Sequence, residues 1–165
     1  MSNSQRIYSE RVLTGAPGLP IAPALISIHD GYITDVEALD RSELTPECEP
    51  TWDLGNKLVT PAFVNGHTHL SMCMFRGLGL DAMSENIVEQ TYYRIENGIT
   101  PAEVQAFSRM GAYESLLCGV GTVWDHYYHG DAVARALEEV GLCGIVAPTL
   151  QDVTGPGVSQ LERQI

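Results

Sequence analysis

Hydrophobic and polar positions alternate along the first third of the chain and then give way to a longer period. Ala24-Leu25-Ile26-Ser27-Ile28-His29 and Tyr32-Ile33-Thr34-Asp35-Val36 flank Asp30-Gly31. An Asp-Gly pair between alternating runs predicts a hairpin, because both turn positions need positive φ. His29 is then a hairpin side chain and not a ligand. Residues 39–52 are polar, acidic and Pro-containing, the pattern of a surface loop. Residues 1–57 are therefore expected to form small β structure.

From Leu58 the pattern becomes strand, helix, strand, helix, strand. Leu58, Val59, Ala62, Phe63 and Val64 predict a buried strand running up to Gly66. Ser84 is placed to cap a helix whose apolar positions Ile87, Val88, Thr91, Tyr92 and Ile95 follow the 3.6-residue period. Thr100-Pro101-Ala102-Glu103 supplies a capping box with Pro at the first helical position of the next. That second helix is expected to turn Ala106, Met110, Tyr113 and Leu117 inward and to end near Gly119. Gly121-Thr122-Val123-Trp124 reads as the second strand. Asp131 to Val140 reads as a short helix with Val133, Ala136, Leu137 and Val140 inward and Gly141 at its end, and Cys143-Gly144-Ile145-Val146-Ala147 reads as the third strand. Strands alternating with helices predict a parallel sheet. A final helix is expected from Ser159 to Ile165.

The strongest chemical signal is Asn65-Gly66-His67-Thr68-His69-Leu70. A period of two puts His67 and His69 on one face of extended chain, where two neutral imidazoles can converge on one cation. An isolated His-x-His is more often two polar loop residues, so its surroundings decide. Asp125-His126-Tyr127-Tyr128-His129 follows the second strand.

The surroundings resemble the metal-dependent amidohydrolase superfamily, in particular its aminohydrolase branch, which includes S-adenosylhomocysteine and methylthioadenosine deaminases and triazine hydrolases. The resemblance runs from about Leu58 to Asp152. It rests on Pro61-Ala62-Phe63-Val64-Asn65-Gly66-His67-Thr68-His69-Leu70, Arg76-Gly77, Ile95-Glu96 before Thr100-Pro101, Gly121-Thr122 before Asp125-His126-Tyr127-Tyr128-His129, and Gly141-Leu142. It implies that 58–165 are the first three βα units of a (β/α)8 barrel, and that 1–57 contribute to a composite β-sandwich. It also implies that His67 and His69 bind one divalent metal, zinc in the first instance with iron as the alternative, and that Glu96 contacts substrate. Asp125, His126 and His129 shape the pocket or orient the histidines, with Asp125 as an acceptor behind them.

In such a site a cation with an open position lowers the pKa of bound water to about 7, and hydroxide then attacks an electrophilic ring carbon. The expected reaction is deamination of a purine-, pterin- or triazine-like heterocycle. The family's remaining ligands, a His and an Asp, and its proton-handling Glu and His fall on later strands. No catalytic residue is therefore expected within this chain, which reads as an N-terminal portion, since a complete barrel takes about 250 residues. Two departures bear on the substrate: Ile87 stands where a Trp is common, and Pro148 where an Arg can follow strand three. The open alternatives are release of chloride or cleavage of an amide, and a non-catalytic metal-binding or relic module.

Composition narrows the partners. Nine Lys and Arg against 21 Asp and Glu give a net charge of −12, which disfavours nucleic acid and anionic membrane. No apolar run approaches the roughly 18 residues of a membrane span, and the first residues carry no apolar leader segment, so a cytoplasmic protein acting on a small molecule is expected, with homo-oligomerisation left open. Cys48, Cys73, Cys118 and Cys143 lack a Cys-x-x-Cys spacing and read as reduced thiols. Cys73, four residues past His69, reads as packing and not as a third ligand. Arg76 reads as an ion-pair partner.

Overall fold

The computed structural model describes residues 4–15, 17–78 and 86–160. They fall into two units, Met1–Pro61 and Ala62–Ile165.

In the first unit the alternating segments pair as expected. β1 (Ser4–Val12) lies antiparallel to β2 (Ala22–His29), and β2 to β3 (Tyr32–Ala38). Asp30 and Gly31 take φ of 48° and 85° at the hairpin turn, the left-handed values that a tight two-residue turn requires. The loop that follows contains two single 3₁₀ turns, Arg41–Glu43 and Pro46–Cys48, before β4 (Trp52–Asp53) and β5 (Leu58–Val59) return parallel to β1. Leu58 and Val59 therefore belong to this sheet and not to the strand that carries the histidines. Val12, Ala24 and Ile26 are its buried cluster. Arg41 closes one side, pairing with both carboxylate oxygens of Asp53 at 2.7 and 2.9 Å and with Glu10 at 3.0 Å, while its guanidinium stands over the Tyr8 ring.

The second unit is a mixed α/β arrangement. β6 (Phe63–Thr68), β7 (Val120–Tyr127) and β8 (Cys143–Pro148) form a parallel sheet in that order. β7 runs three residues beyond the predicted Gly121–Trp124, so Asp125 and His126 lie in the strand and not after it. A 3₁₀ segment, Leu70–Phe75, follows β6. Ile87 leads into a wide π turn, Val88–Tyr92, and then α1 (Tyr93–Glu96). Ser84, the predicted cap, lies outside the described residues, as do residues 161–165 of the last predicted helix; Pro156–Gln160 is a 3₁₀ turn.

α2 (Pro101–Leu117) begins on the expected box: Thr100 Oγ1 accepts from Glu103 N–H at 3.3 Å and Glu103 Oε2 from Thr100 N–H at 2.8 Å. Its predicted inward face is wrong. Met110, Tyr113 and Leu117 are exposed, the last at 87%, whereas Val104, Ser108, Gly111 and Ala112 are buried. Backbone proximity outweighs side-chain size here. A Cβ on Gly111 would come within 2.4 Å of the Leu70 carbonyl oxygen, so the smallest face is the one that lets the helix rest on the 3₁₀ segment behind the histidines.

α3 (Gly130–Val140) behaves as predicted, burying Val133, Ala136 and Leu137 and ending on Gly141 at φ 77°. Each fully buried Val or Leu contributes about 1.5–3 kcal/mol. These side chains join Val104, Val123, Tyr127 and Leu142 in the core on the helical side of the sheet. The opposite side stays open: Val64, Trp124 and Ile145 are exposed, Val64 at 73%. Among the described residues no helix is long and apolar enough to cross a membrane.

Gly111→Ala should destabilise the protein by about 1–3 kcal/mol, because the new methyl meets main chain and not a flexible side chain. Chemical denaturation would show a lowered midpoint with an unchanged slope; a wild-type midpoint would refute the close approach.

Candidate functional site

The carboxyl ends of β6 and β7 carry the candidate residues, and the register between them sets their geometry. Thr68 pairs with Asp125, which puts the His67-Thr68-His69 run beside Asp125-His126-Tyr127. Along β7 the side chains alternate: Val123, Asp125 and Tyr127 are buried, while Trp124 and His126 are exposed on the other face. Asp125 and His126, adjacent in sequence, therefore cannot act as one acid–base or metal pair.

The buried face supports the segment that carries the two histidines. Asp125 Oδ2 accepts the Leu70 backbone N–H at 2.6 Å, one residue past His69. Removal from water pushes this carboxyl up to about 6, with the Leu70 bond and the proximity of His69 acting in the opposite direction. The His69 ring is held from the same strand, since its Nδ1–H donates to the His126 carbonyl. That bond fixes the tautomer and leaves Nε2 as the free lone pair, the arrangement a metal-binding imidazole needs. The rings of His67 and His69 stand edge to face with centroids 5.0 Å apart. The His67 N–H donates to Asn65 Oδ1 at 3.2 Å, a local bond within β6.

These two imidazoles fit a divalent cation as half of a four-coordinate set. Among the described residues no group of three His, Cys, Asp or Glu gathers at one point. Cys73 is turned away, its thiol donating to the Phe107 carbonyl at 3.3 Å, and burial pushes that thiol up. Arg76 forms a two-pronged ion pair with Glu114 at 2.7 and 2.8 Å.

His126 points from the exposed face of β7 toward His69, with ring centroids 5.8 Å apart, and its Nε2 lies 3.2 Å from the Thr149 hydroxyl. Desolvation, with the nearby His69 and His67, lowers its pKa and favours the neutral ring. His69 and His126 form the shared wall of two concavities of about 360 Å³ each. One also carries His67 and Trp124; the other reaches Glu96, Tyr92 and Gln151. His129 lines neither. It takes a left-handed conformation, φ 52°, at the start of α3, where its carbonyl accepts the Ala132 N–H at 2.8 Å.

Glu96, at the end of α1, is only 6% exposed. The Tyr127 hydroxyl donates to Glu96 Oε1 at 2.6 Å. Burial raises the Glu96 carboxyl and the Tyr127 bond acts against that rise; the Tyr127 phenol is itself pushed up by burial and by the facing carboxyl. Gln151 braces the same wall by donating to the Tyr93 hydroxyl at 3.0 Å. Tyr127, Thr149 and Gln151 were not singled out from sequence. For Tyr127 a signal existed, because extending the period of two beyond Trp124 puts it on the face of Asp125.

Residues 58–157 match the amidohydrolase family model. A 5-methylthioadenosine/S-adenosylhomocysteine deaminase of Symbiobacterium thermophilum is 36% identical over 104 residues, covering 63% of this chain and 24% of its own length. The enzyme of the same name from Thermococcus kodakarensis is 28% identical over 162 residues, 98% of this chain and 36% of its own length. An adenosine deaminase from Xanthomonas campestris, solved with bound zinc, shares the fold with a TM-score of 0.78 at 20% identity, covering 96% of this chain and 37% of that one. The chain thus spans between about a quarter and just over a third of the length of these relatives. A family match across more than half of its residues, a span that includes the two histidines, establishes that this chain belongs to the amidohydrolase family.

Proposed function

We propose that the chain is part of a metal-dependent hydrolase that deaminates a purine-like heterocycle. The observation that carries this reading is the orientation of His69: Nδ1 is tied to the His126 carbonyl and Nε2 is left free, on the rim of the concavity that contains the buried Glu96. The names of the relatives and the zinc bound in the Xanthomonas campestris deaminase support it. In this reading β6 to β8 and their helices are the first three units of a (β/α)8 barrel, whose inner face is the open side of the sheet. The N-terminal sheet contributes to a composite β-sandwich. Four free thiols fit a reducing compartment such as the cytoplasm.

His67 and His69 hold the cation, zinc or in its place iron, and further donors come from outside the described residues. Bound there, the cation supplies an activated water and Lewis acidity. The chain's own residues do the positioning. Asp125 fixes the backbone after His69, His126 fixes the imidazole and walls the pocket, and Glu96 accepts hydrogen bonds from ring N–H or hydroxyl groups of the substrate. Tyr92 and Met72 offer an apolar surface to a flat ring. A pterin- or triazine-like ring is the second reading, favoured by Pro148, which offers no cation at the end of β8, and by Ile87.

His69→Ala should lower metal affinity by more than about 100-fold, since loss of a mere supporting partner already costs 10–100-fold. Elemental analysis of purified protein should find the metal lost and hydrolysis abolished; full occupancy would sink the assignment.

For Glu96→Gln, KM should rise more than kcat falls, because the contact is shared by ground and transition states. Steady-state kinetics on the best substrate decide it, and unchanged constants would return Glu96 to a purely structural role.

A further inference from the structure

We propose that Tyr127 is a positioning residue for substrate binding: its buried hydroxyl, 2.6 Å from Glu96 Oε1, holds the carboxyl in the orientation that receives substrate donors. The inference rests on the reading of Glu96 as a substrate contact and names the group through which that contact is set.

Glu96 sits at the last position of a helical segment of four residues, preceded by a π turn. The two are continuous, and the last position of a helix is where it frays. Tyr127 differs in every respect. It lies on β7, is 3% exposed, and its ring packs on Tyr128 with centroids 5.0 Å apart within the core cluster. A rigid strand therefore fixes one oxygen of a carboxyl carried by a weakly determined helix end. A carboxyl with one oxygen fixed loses most of its freedom to rotate, so its remaining acceptor capacity has a set direction. An ordering cost that substrate would otherwise meet has already been met on folding.

The same strand end also holds the metal arm. Asp125 accepts from Leu70, the His126 carbonyl accepts from His69, and Tyr127 donates to Glu96. Three consecutive residues thus set the distance between the reacting end of the site and the part that recognises substrate. Phe at position 127 keeps the ring and its packing and removes only the donor.

The test uses the full-length, zinc-loaded protein with 5-methylthioadenosine as probe, comparing wild type, Tyr127→Phe, Glu96→Gln and the double variant. Tyr127→Phe is expected to raise KM roughly tenfold, the scale of losing one of the hydrogen bonds to a buried carboxyl, with kcat changed less than about threefold. The double variant should be no worse than Glu96→Gln alone, because Tyr127 acts through that carboxylate. Penalties that multiply, or an unchanged KM in Tyr127→Phe, would overturn the proposal. A crystal structure of the zinc-loaded Tyr127→Phe protein provides the readout that needs no turnover. A Glu96 carboxyl rotated or displaced with the His67 and His69 rings in place supports the proposal, and a carboxyl in its wild-type position refutes it. Wild-type protein that fails to turn over the probe counts against the deaminase reading, and the crystal structure then decides the proposal alone.

Discussion

The hydrogen bond from the Leu70 N–H to Asp125 is the constraint on which the second unit depends. A carboxylate with no exposed surface is costly unless it is paired, and here one charge-assisted bond offsets part of that cost. In return it ties the chain leaving β6 to the end of β7, at the point where that chain turns from extended into 3₁₀ geometry. Gly111 lets α2 press on the carbonyl of the same residue, Leu70, from behind. The segment that carries the histidines is thus held from the strand beside it and from the helix beneath, and neither support uses a ring nitrogen.

Much of this was legible in the sequence because the relevant signals are local. The Asp30-Gly31 hairpin, the Thr100–Glu103 capping box and the Gly141 terminus each follow from a few neighbouring residues, and all appear in the structure. The His67-Thr68-His69 spacing needed only the strand period to place both rings together. Signals that depend on distant residues were read less well. The inward face of α2 was assigned by apolar size to Met110, Tyr113 and Leu117, while the real face is chosen by how closely the Leu70 backbone approaches. Leu58 and Val59 look like the start of the histidine strand because they are apolar and near it, yet their hydrogen bonds go to β1.

Glu96 and its partner illustrate the same limit. A Glu at the end of a short helix is ordinarily solvated, and nothing within α1 distinguishes this one. Its burial arises from β7, whose Tyr127 lies 31 residues away in sequence. The cluster Asp125-His126-Tyr127-Tyr128-His129 presents two adjacent titratable residues, whereas the pleat separates them and makes Asp125 and Tyr127 neighbours on the buried face.

That separation has an evolutionary consequence. Residues 123, 125 and 127 face the core and are tied to packing, to Leu70 and to Glu96, so change there is resisted by stability itself. Residues 124 and 126 face the open side and touch none of those supports with their side chains. Substitution at His126 can therefore reshape the wall shared by the two concavities while the scaffold beneath is kept. A single inserted residue in β7 would exchange the two sets at once. The exposed wall of this strand is therefore open to replacement and closed to insertion or deletion.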